Sequence, residues 1–150
     1  MVVDDEVDLE PLIRQKFRKQ IRSNEYDFIF AHNGLEALAK LIEHPDIGVI
    51  LSDINMPEMD GIQLSEYILS TDNTIPVVIM TGKPTIDYTI KTIKRGAVDF
   101  LVKPFNLNDM ELCIERVLNQ RELFIENILL KKEVEGKKRL EELKKQLQNK

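Results

Sequence analysis

Residues 49–61 read VILSDINMPEMDG. An apolar run of β-forming residues ends here at a carboxylate, Asp53, and a turn with a proline precedes Asp60-Gly61 and a helical pattern. A short apolar run between turn signals is typical of a buried parallel strand. Open α/β sheets bind their ligands at the carboxyl ends of such strands. Asp53 is therefore predicted to be a nucleophile, a metal ligand or the cap of the next helix.

The composition limits the class of protein. The 150 residues carry a net charge of −5, but the last 30 hold nine Lys or Arg and six Asp or Glu, so the first 120 carry −8. An acidic body argues against nucleic acid as a direct partner. A single cysteine, Cys113, excludes an internal disulfide and is predicted to be a small core residue. No apolar run approaches the roughly 18 residues of a membrane span, and no secretory signal is visible. We therefore expect no membrane contact and a cytoplasmic location.

Strand and helix patterns alternate along the chain. Apolar runs predict strands over residues 1–3, 26–31, 47–52, 75–80 and 97–102. Helical patterns follow them at about 8–22, 34–43, 60–69, 84–95 and from 108 onward. Such alternation predicts an α/β fold with a parallel sheet and right-handed crossovers.

The fifth helical pattern continues beyond the point where a domain of this kind should end. Apolar and amphipathic residues follow the 4-3-4-3 steps of a coiled coil at Ile114, Leu118, Arg121, Ile125 and Ile128. Residues 131–139 break that register and include Gly136, which disfavours helix. We therefore predict one domain over 1–120 and a helical linker or tail over 121–150. A coiled coil and a solvated helix both remain open for the tail.

Polar side chains stand at the ends of four predicted strands. They are Asp4 and Asp5, Asp53, Thr81 and Lys103. Because the carboxyl ends of parallel strands share one edge, these groups should converge. Clustered carboxylates repel one another, and both a lysine and a hard divalent cation would relieve that repulsion. Mg²⁺ is the predicted ion.

A carboxylate, a hydroxyl, an ammonium and Mg²⁺ together suit phosphoryl transfer, which relies on positioning and charge stabilisation. Asp53 would be the nucleophile and would form an acyl phosphate. Each residue alone is commonplace at a strand end. The joint order along successive strands is much more specific.

With these residues the sequence resembles the receiver domain of two-component response regulators over about residues 1–120. The matching positions are Asp4-Asp5, Asp53 with Met56-Pro57 and Asp60-Gly61, Thr81-Gly82, and Lys103-Pro104-Phe105. The resemblance implies a flavodoxin-like, doubly wound sheet of five parallel strands in the order 2-1-3-4-5, with an extended C-terminal helix.

The resemblance also implies roles for the site residues. Asp53 would be the phosphoacceptor, and Asp5, Asp53 and the main-chain carbonyl of Asn55 would bind Mg²⁺ directly. Asp4 would act largely through metal-bound water, and Thr81 and Lys103 would contact the phosphoryl group. Lys103-Pro104 matches a peptide bond that is commonly cis, and Asn55 and Lys83 match positions that modulate phosphoryl lifetime.

Phe100 matches the switch aromatic of the family. Movement of the Thr81 hydroxyl toward the phosphate would free space for the Phe100 ring, and the face formed by helix 84–95, the fifth strand and the fifth helix would change. A sensor histidine kinase or a histidine phosphotransfer protein would donate the phosphoryl group. An output domain or effector outside this chain and a homodimer are the other implied partners. The protein would catalyse only its own phosphorylation and dephosphorylation.

Three other interpretations of these strand-end residues compete with the receiver domain. A flavin mononucleotide site needs a phosphate-binding loop after the first strand. This chain has Asp4-Asp5-Glu6 there, which would repel a phosphate unless a metal intervened. A phosphatase with an aspartyl nucleophile would need a second acid two residues after the nucleophile. This chain has Asn55 there, which disfavours turnover of outside substrates. An interaction module that has lost phosphorylation is possible only through regulation, because all the residues that phosphorylation requires are present. One departure from the family is the short first strand, which is either trimmed or begins earlier in the natural chain.

Overall fold

The computed structural model describes residues 1–72, 74–82 and 97–149. Its centre is one sheet of five strands, all parallel, in the order β2-β1-β3-β4-β5. The strands are β1 Val2–Val3, β2 Phe30–Ala31, β3 Ile50–Asp53, β4 Val77–Thr81 and β5 Ala97–Val102. The predicted flavodoxin-like strand order is confirmed.

Five helices are described. They are α1 Leu9–Lys16, α2 Arg18–Arg22, α3 Gly34–Glu43, α4 Gly61–Thr71 and α5 Leu107–Gln148. The predicted helix over 84–95 and the predicted role of Lys83 lie outside the described residues.

Strand side chains alternate between two apolar layers, as the period of two requires. One layer joins the sheet to α3 and α4, and it contains Val3, Ile50, Ile79, Ala37 and Leu64. The other joins the sheet to α1 and the first turns of α5, and it contains Val2, Leu51, Ile13, Met110 and Cys113. Burial of Cys113 agrees with the predicted core role. Helices on both faces make the sheet doubly wound.

The second strand is shorter than predicted. Only Phe30 and Ala31 pair with β1, because β1 itself consists of Val2 and Val3. Just before β1, the amino group of Met1 is buried and donates a hydrogen bond to the Val49 carbonyl at 2.8 Å. Burial lowers the pKa of this amine to about 5. The prediction of a strand was therefore wrong for residues 26–28, because β1 does not extend alongside them. Ile29 still accepts a hydrogen bond from the Val2 N–H at 2.8 Å.

The first predicted helix is divided at Phe17, which separates α1 from α2. Phe17 is fully buried, and its ring lies 5.0 Å from the ring of Phe28 and 5.9 Å from that of Tyr26. This aromatic packing holds the interruption against the sheet. Asp8 stands at the cap position before α1 but makes no capping hydrogen bond with the described residues.

The last helix, α5, is continuous over 42 residues. Gly136 does not interrupt it, although glycine costs about 1 kcal/mol of helix stability relative to alanine. Residues 131–149 are all exposed. Among the described residues, no helix is both long enough and apolar enough to cross a membrane.

Candidate functional site

The carboxyl edge of the sheet brings the predicted site residues together. Asp53 is the last residue of β3, Thr81 is the last of β4, and Lys103 follows β5 directly. Asp4 and Asp5 follow β1, and carboxylate oxygens of Asp4, Asp5 and Asp53 all lie within 4.8 Å of one another. The sequence pattern therefore identified an acidic cluster that the fold assembles.

Lys103 links two of the three carboxylates. Its Nζ donates a hydrogen bond to Asp4 Oδ2 at 3.0 Å and lies 3.5 Å from Asp53 Oδ1. Burial disfavours the charged ammonium, but the hydrogen bond and charge of Asp4, together with the charge of Asp53, outweigh it and raise the pKa of Lys103. Lys103 is thus held as a cation between two acids.

Asp53 is almost fully buried, with 8% of its surface exposed. Burial raises the pKa of its carboxyl group, and the negative charge of Asp4 raises it further. Lys103 and the hydrogen bond from the Ile54 N–H to Asp53 Oδ1, at 2.8 Å, offset only part of this increase. The described protein groups therefore do not fully balance the negative charge of the Asp53 carboxylate.

Asp4 and Asp5 differ although they are adjacent. Asp4 is buried, and both of its oxygens have partners: Oδ1 accepts from the Glu6 N–H at 2.9 Å and Oδ2 accepts from Lys103. Asp5 is exposed. The Asp4–Glu6 contact is an Asx turn. The sequence analysis did not predict it, although an Asp at the start of a turn is a signal for this motif.

The loop after Asp53 approaches the site through its backbone. A Cβ atom on Gly61 would lie only 2.5 Å from the main-chain oxygen of Asp53, so this position requires glycine. Asp60 caps α4, and its side chain and that of Gln63 form a capping box. Asp60 rather than Asp53 therefore caps α4, and Asp53 is left for the site. In the sequence, Gly61 is marked only as part of the turn signal Asp60-Gly61.

The remaining predicted site residues lie on β4, on β5 and in the loop. The Lys103 N–H donates to the Thr81 carbonyl at 2.7 Å, and the Lys103–Pro104 peptide bond is cis as the resemblance implied. Thr81 is buried, whereas Asn55 is exposed in the loop after Asp53. Phe100 pairs with Ile79 and packs, half-buried, against the apolar layer under α3 and α4.

The donor set fits a hard divalent cation. Three carboxylates face each other with one lysine among them, and burial together with the charge of Asp4 raises the pKa of Asp53. Mg²⁺ is bound in proteins by a few carboxylates and waters. The residues present therefore suit Mg²⁺ in type and in number.

The comparisons with known proteins agree with this geometry. Over 119 residues the chain is 34% identical to the regulatory protein AtoC of Escherichia coli strain K12, and the match covers 79% of this chain and 24% of AtoC. It is 29% identical to the response regulator MprA of Mycobacterium ulcerans strain Agy99, with 82% and 51% covered. The chain thus spans between a quarter and a half of the length of these relatives.

Solved structures show the same fold. The receiver domain of NtrX from Brucella abortus is 30% identical and superposes with a TM-score of 0.66, covering 79% of this chain and 96% of that domain. A response regulator receiver domain protein from Clostridium thermocellum is 27% identical with a TM-score of 0.67, covering 82% and 95%. Residues 1–115 match the family described as the response regulator receiver domain. The chain belongs to the response regulator receiver domain family, and hence to the signalling domains of two-component systems.

Proposed function

We propose that Asp53 accepts a phosphoryl group from a histidine kinase or a histidine phosphotransfer protein in a Mg²⁺-dependent reaction. The observation that carries this proposal is the position of the Lys103 ammonium, 3.0 Å from Asp4 and 3.5 Å from Asp53 at the edge where Asp5 also stands. A nucleophile, a fixed cation and further carboxylates for a metal are the parts that phosphoryl transfer requires.

The chemical step joins an Asp53 oxygen to phosphorus. Because Oδ1 is held by the Ile54 N–H, Oδ2 is our candidate for the attacking atom. The new O–P bond forms as the N–P bond of the donor phosphohistidine breaks, and its electron pair stays on the imidazole nitrogen. Attack of water on the acyl phosphate returns the Asp53 carboxylate and inorganic phosphate. The domain would therefore catalyse only its own phosphorylation and dephosphorylation.

Asp5, Asp53 and the main-chain carbonyl of Asn55 would hold Mg²⁺ directly. When bound, the ion would offset the negative charge of the carboxylates and of the phosphoryl oxygens. Asp4 has both of its oxygens engaged by Glu6 and Lys103, which supports a role through metal-bound water. Lys103 and the Thr81 hydroxyl would each bind a phosphoryl oxygen.

The switch would run from Thr81 to Phe100. Thr81 ends β4, and Phe100 stands on the neighbouring strand opposite Ile79, two residues before Thr81. Movement of the Thr81 hydroxyl toward the phosphoryl group would make room for the Phe100 ring to turn inward. The face that contains β5 and α5 would then change its affinity for an output domain or effector.

A groove beside the site suits the phosphodonor. It has a volume of about 490 Å³ and runs between α1 and the residues after β5. Its apolar lining comes from Leu9, Leu12, Pro104, Phe105 and Leu107. A helix of the donor protein that carries its histidine could pack here within reach of Asp53.

Homodimerisation is also part of the proposal, through the exposed apolar side chains of α5 beyond residue 120 or through the face that contains β5. Leu123, Leu130 and Leu140 are each more than half exposed. Light scattering with and without beryllofluoride, a phosphoryl mimic, tests this. A monomeric mass in both conditions would contradict it.

A cytoplasmic location belongs to the same proposal. The single cysteine, Cys113, is a free thiol, which suits a reducing compartment. Cell fractionation would test the location, and recovery outside the cytoplasm would refute it.

Intact-mass spectrometry with acetyl phosphate and MgCl₂ tests the phosphoryl-transfer reaction. We expect one added phosphoryl group on the wild type, and none after chelation with EDTA or in Asp53→Asn. Replacement of an exposed acid, Asp46→Asn, is the matched control and should leave the addition unchanged. Equal phosphorylation of Asp53→Asn would refute the assignment.

A further inference from the structure

The loop of residues 54–60, which we name the metal loop, carries Asn55 between β3 and α4. One backbone hydrogen bond joins its two ends, and a second forms a tight turn inside it. The Gly61 N–H donates to the Ile54 carbonyl at 3.1 Å, and the Met59 N–H donates to the Pro57 carbonyl at 2.8 Å. Glu58 has a positive φ of 68°. A displacement of Met59 would therefore be passed to the rest of this short, closed loop.

Met59 rests on the first turn of α3. A Cβ atom on Gly34 would lie 2.8 Å from Met59 Cβ and 2.9 Å from both Cγ and Sδ. These distances are shorter than any van der Waals contact, and one of them involves the Cβ next to the loop backbone. Gly34 thus permits a close approach that any side chain would prevent.

The first turn of α3 is a firm support for this contact. Asn33 Oδ1 accepts from the Glu36 N–H at 2.8 Å, and Glu36 Oε2 accepts from the His32 N–H at 3.0 Å. Ala37, one turn further, is fully buried in the apolar layer under α3. Because the helix start is fixed on both sides, a clash at Gly34 would displace Met59 rather than α3.

We infer that Gly34 is a positioning residue for the metal loop: by lacking a side chain it lets Met59 pack on α3, and this packing sets the loop for Mg²⁺ binding. The inference rests on the proposed function, because it needs Mg²⁺ at the carboxylates. It assigns to α3, which carries none of those carboxylates, a role in metal affinity.

Helix propensity and metal affinity give opposite expectations for Gly34→Ala. Gly34 has helical backbone, so alanine there is favoured by propensity and should not weaken α3 by itself. The contact with Met59 instead predicts weaker Mg²⁺ binding. A purely structural role for Gly34 would not produce a selective loss of metal affinity.

Competition between MgCl₂ and Mn²⁺ measures that affinity, with the free Mn²⁺ signal followed by electron paramagnetic resonance. For Gly34→Ala we expect the dissociation constants of both ions to rise about tenfold, the low end of what disturbing the groups behind metal ligands costs. Gly136→Ala is the matched control. Its Cβ would meet no described atom within 4 Å, and the constants should stay at the wild-type values.

A double-mutant cycle with Met59→Gly tests whether Gly34 acts through Met59. Met59→Gly removes all three atoms that the new Cβ would meet, so Gly34→Ala should then change affinity by less than twofold. The inference would be overturned if Gly34→Ala lowered metal affinity equally in the wild type and in Met59→Gly, or did not lower it in the wild type. If wild type binds neither ion, or Asp53→Asn binds as tightly as wild type, the proposed function itself fails, which is a separate result.

Discussion

The carboxyl edge of the sheet and the second half of α5 are built in opposite ways. At the edge, Asp4, Asp53 and Thr81 are buried, and Lys103 is fixed by two carboxylates. In the helix, residues 131–149 are exposed, and ion pairs such as Lys137–Glu133 connect one turn to the next. The edge depends on residues distant in sequence, whereas the helix depends on residues three or four apart.

This difference suits the sheet edge to a chemical reaction and the exposed helix to contacts with a partner. Charges that share a buried edge shift one another's pKa values and can carry out a reaction. Charges along a solvated helix are screened and contribute little, but they leave an apolar row free for a partner. Substitutions of the same type should therefore have large effects at the edge and small effects in the helix.

The largest difference should come from two glycines. Gly61→Ala places a Cβ 2.5 Å from the Asp53 carbonyl oxygen, and we expect it to lower the free energy of unfolding by about 2–4 kcal/mol. Gly136→Ala should instead be neutral or stabilising, by at most about 1 kcal/mol. Urea denaturation measures both. A Gly61→Ala protein as stable as the wild type would mean that the loop does not press on Asp53.

Two lysines give the next comparison. Lys103→Ala removes the partner of the buried Asp4 and the neighbour of Asp53, and it should cost about 1–3 kcal/mol in metal-free buffer. Lys137→Ala removes an exposed pair with Glu133 and should cost at most about 0.5 kcal/mol. Equal losses in urea denaturation would contradict the contrast between edge and helix. Lys103→Ala should also slow phosphorylation by acetyl phosphate.

The smallest effect is a pH dependence. Because burial and Asp4 raise the pKa of Asp53 in the folded protein, this carboxyl contributes stability below its unfolded pKa and loses it as pH rises through the folded value. In metal-free buffer, Asp53→Asn should be more stable than wild type at pH 7, and the difference should shrink as pH falls toward 4. A difference that grows on acidification would have the wrong sign.

Much of the fold followed from local patterns. The limits of β5 were predicted as found, and the ends of β3 and β4 fell within one residue of the prediction. Strand limits that depend on a partner were not predictable in this way. Residues 26–28 look like a strand in sequence, but β1 is too short to pair with them. The division at Phe17 likewise comes from packing against Phe28 rather than from any helix breaker.

The site was more predictable than the fold around it, because parallel topology alone brings strand ends to one edge. Asp4, Asp53 and Lys103 lie within contact distance as this reasoning requires. The close approaches of Gly61 to Asp53 and of Gly34 to Met59 were not predictable. They depend on how the loop of residues 54–60 folds back on β3 and packs on α3, and the sequence shows only glycines at the starts of two predicted helices.

The most direct test of the central claim is to locate the phosphoryl group. Wild-type protein would be incubated with acetyl phosphate and MgCl₂ and then treated with borohydride, which reduces an acyl phosphate of aspartate to homoserine. Peptide mass spectrometry should find homoserine at position 53 and at no other aspartate. Homoserine at Asp4 or Asp5 instead, or an unmodified Asp53 in protein that has gained phosphate, would contradict the account.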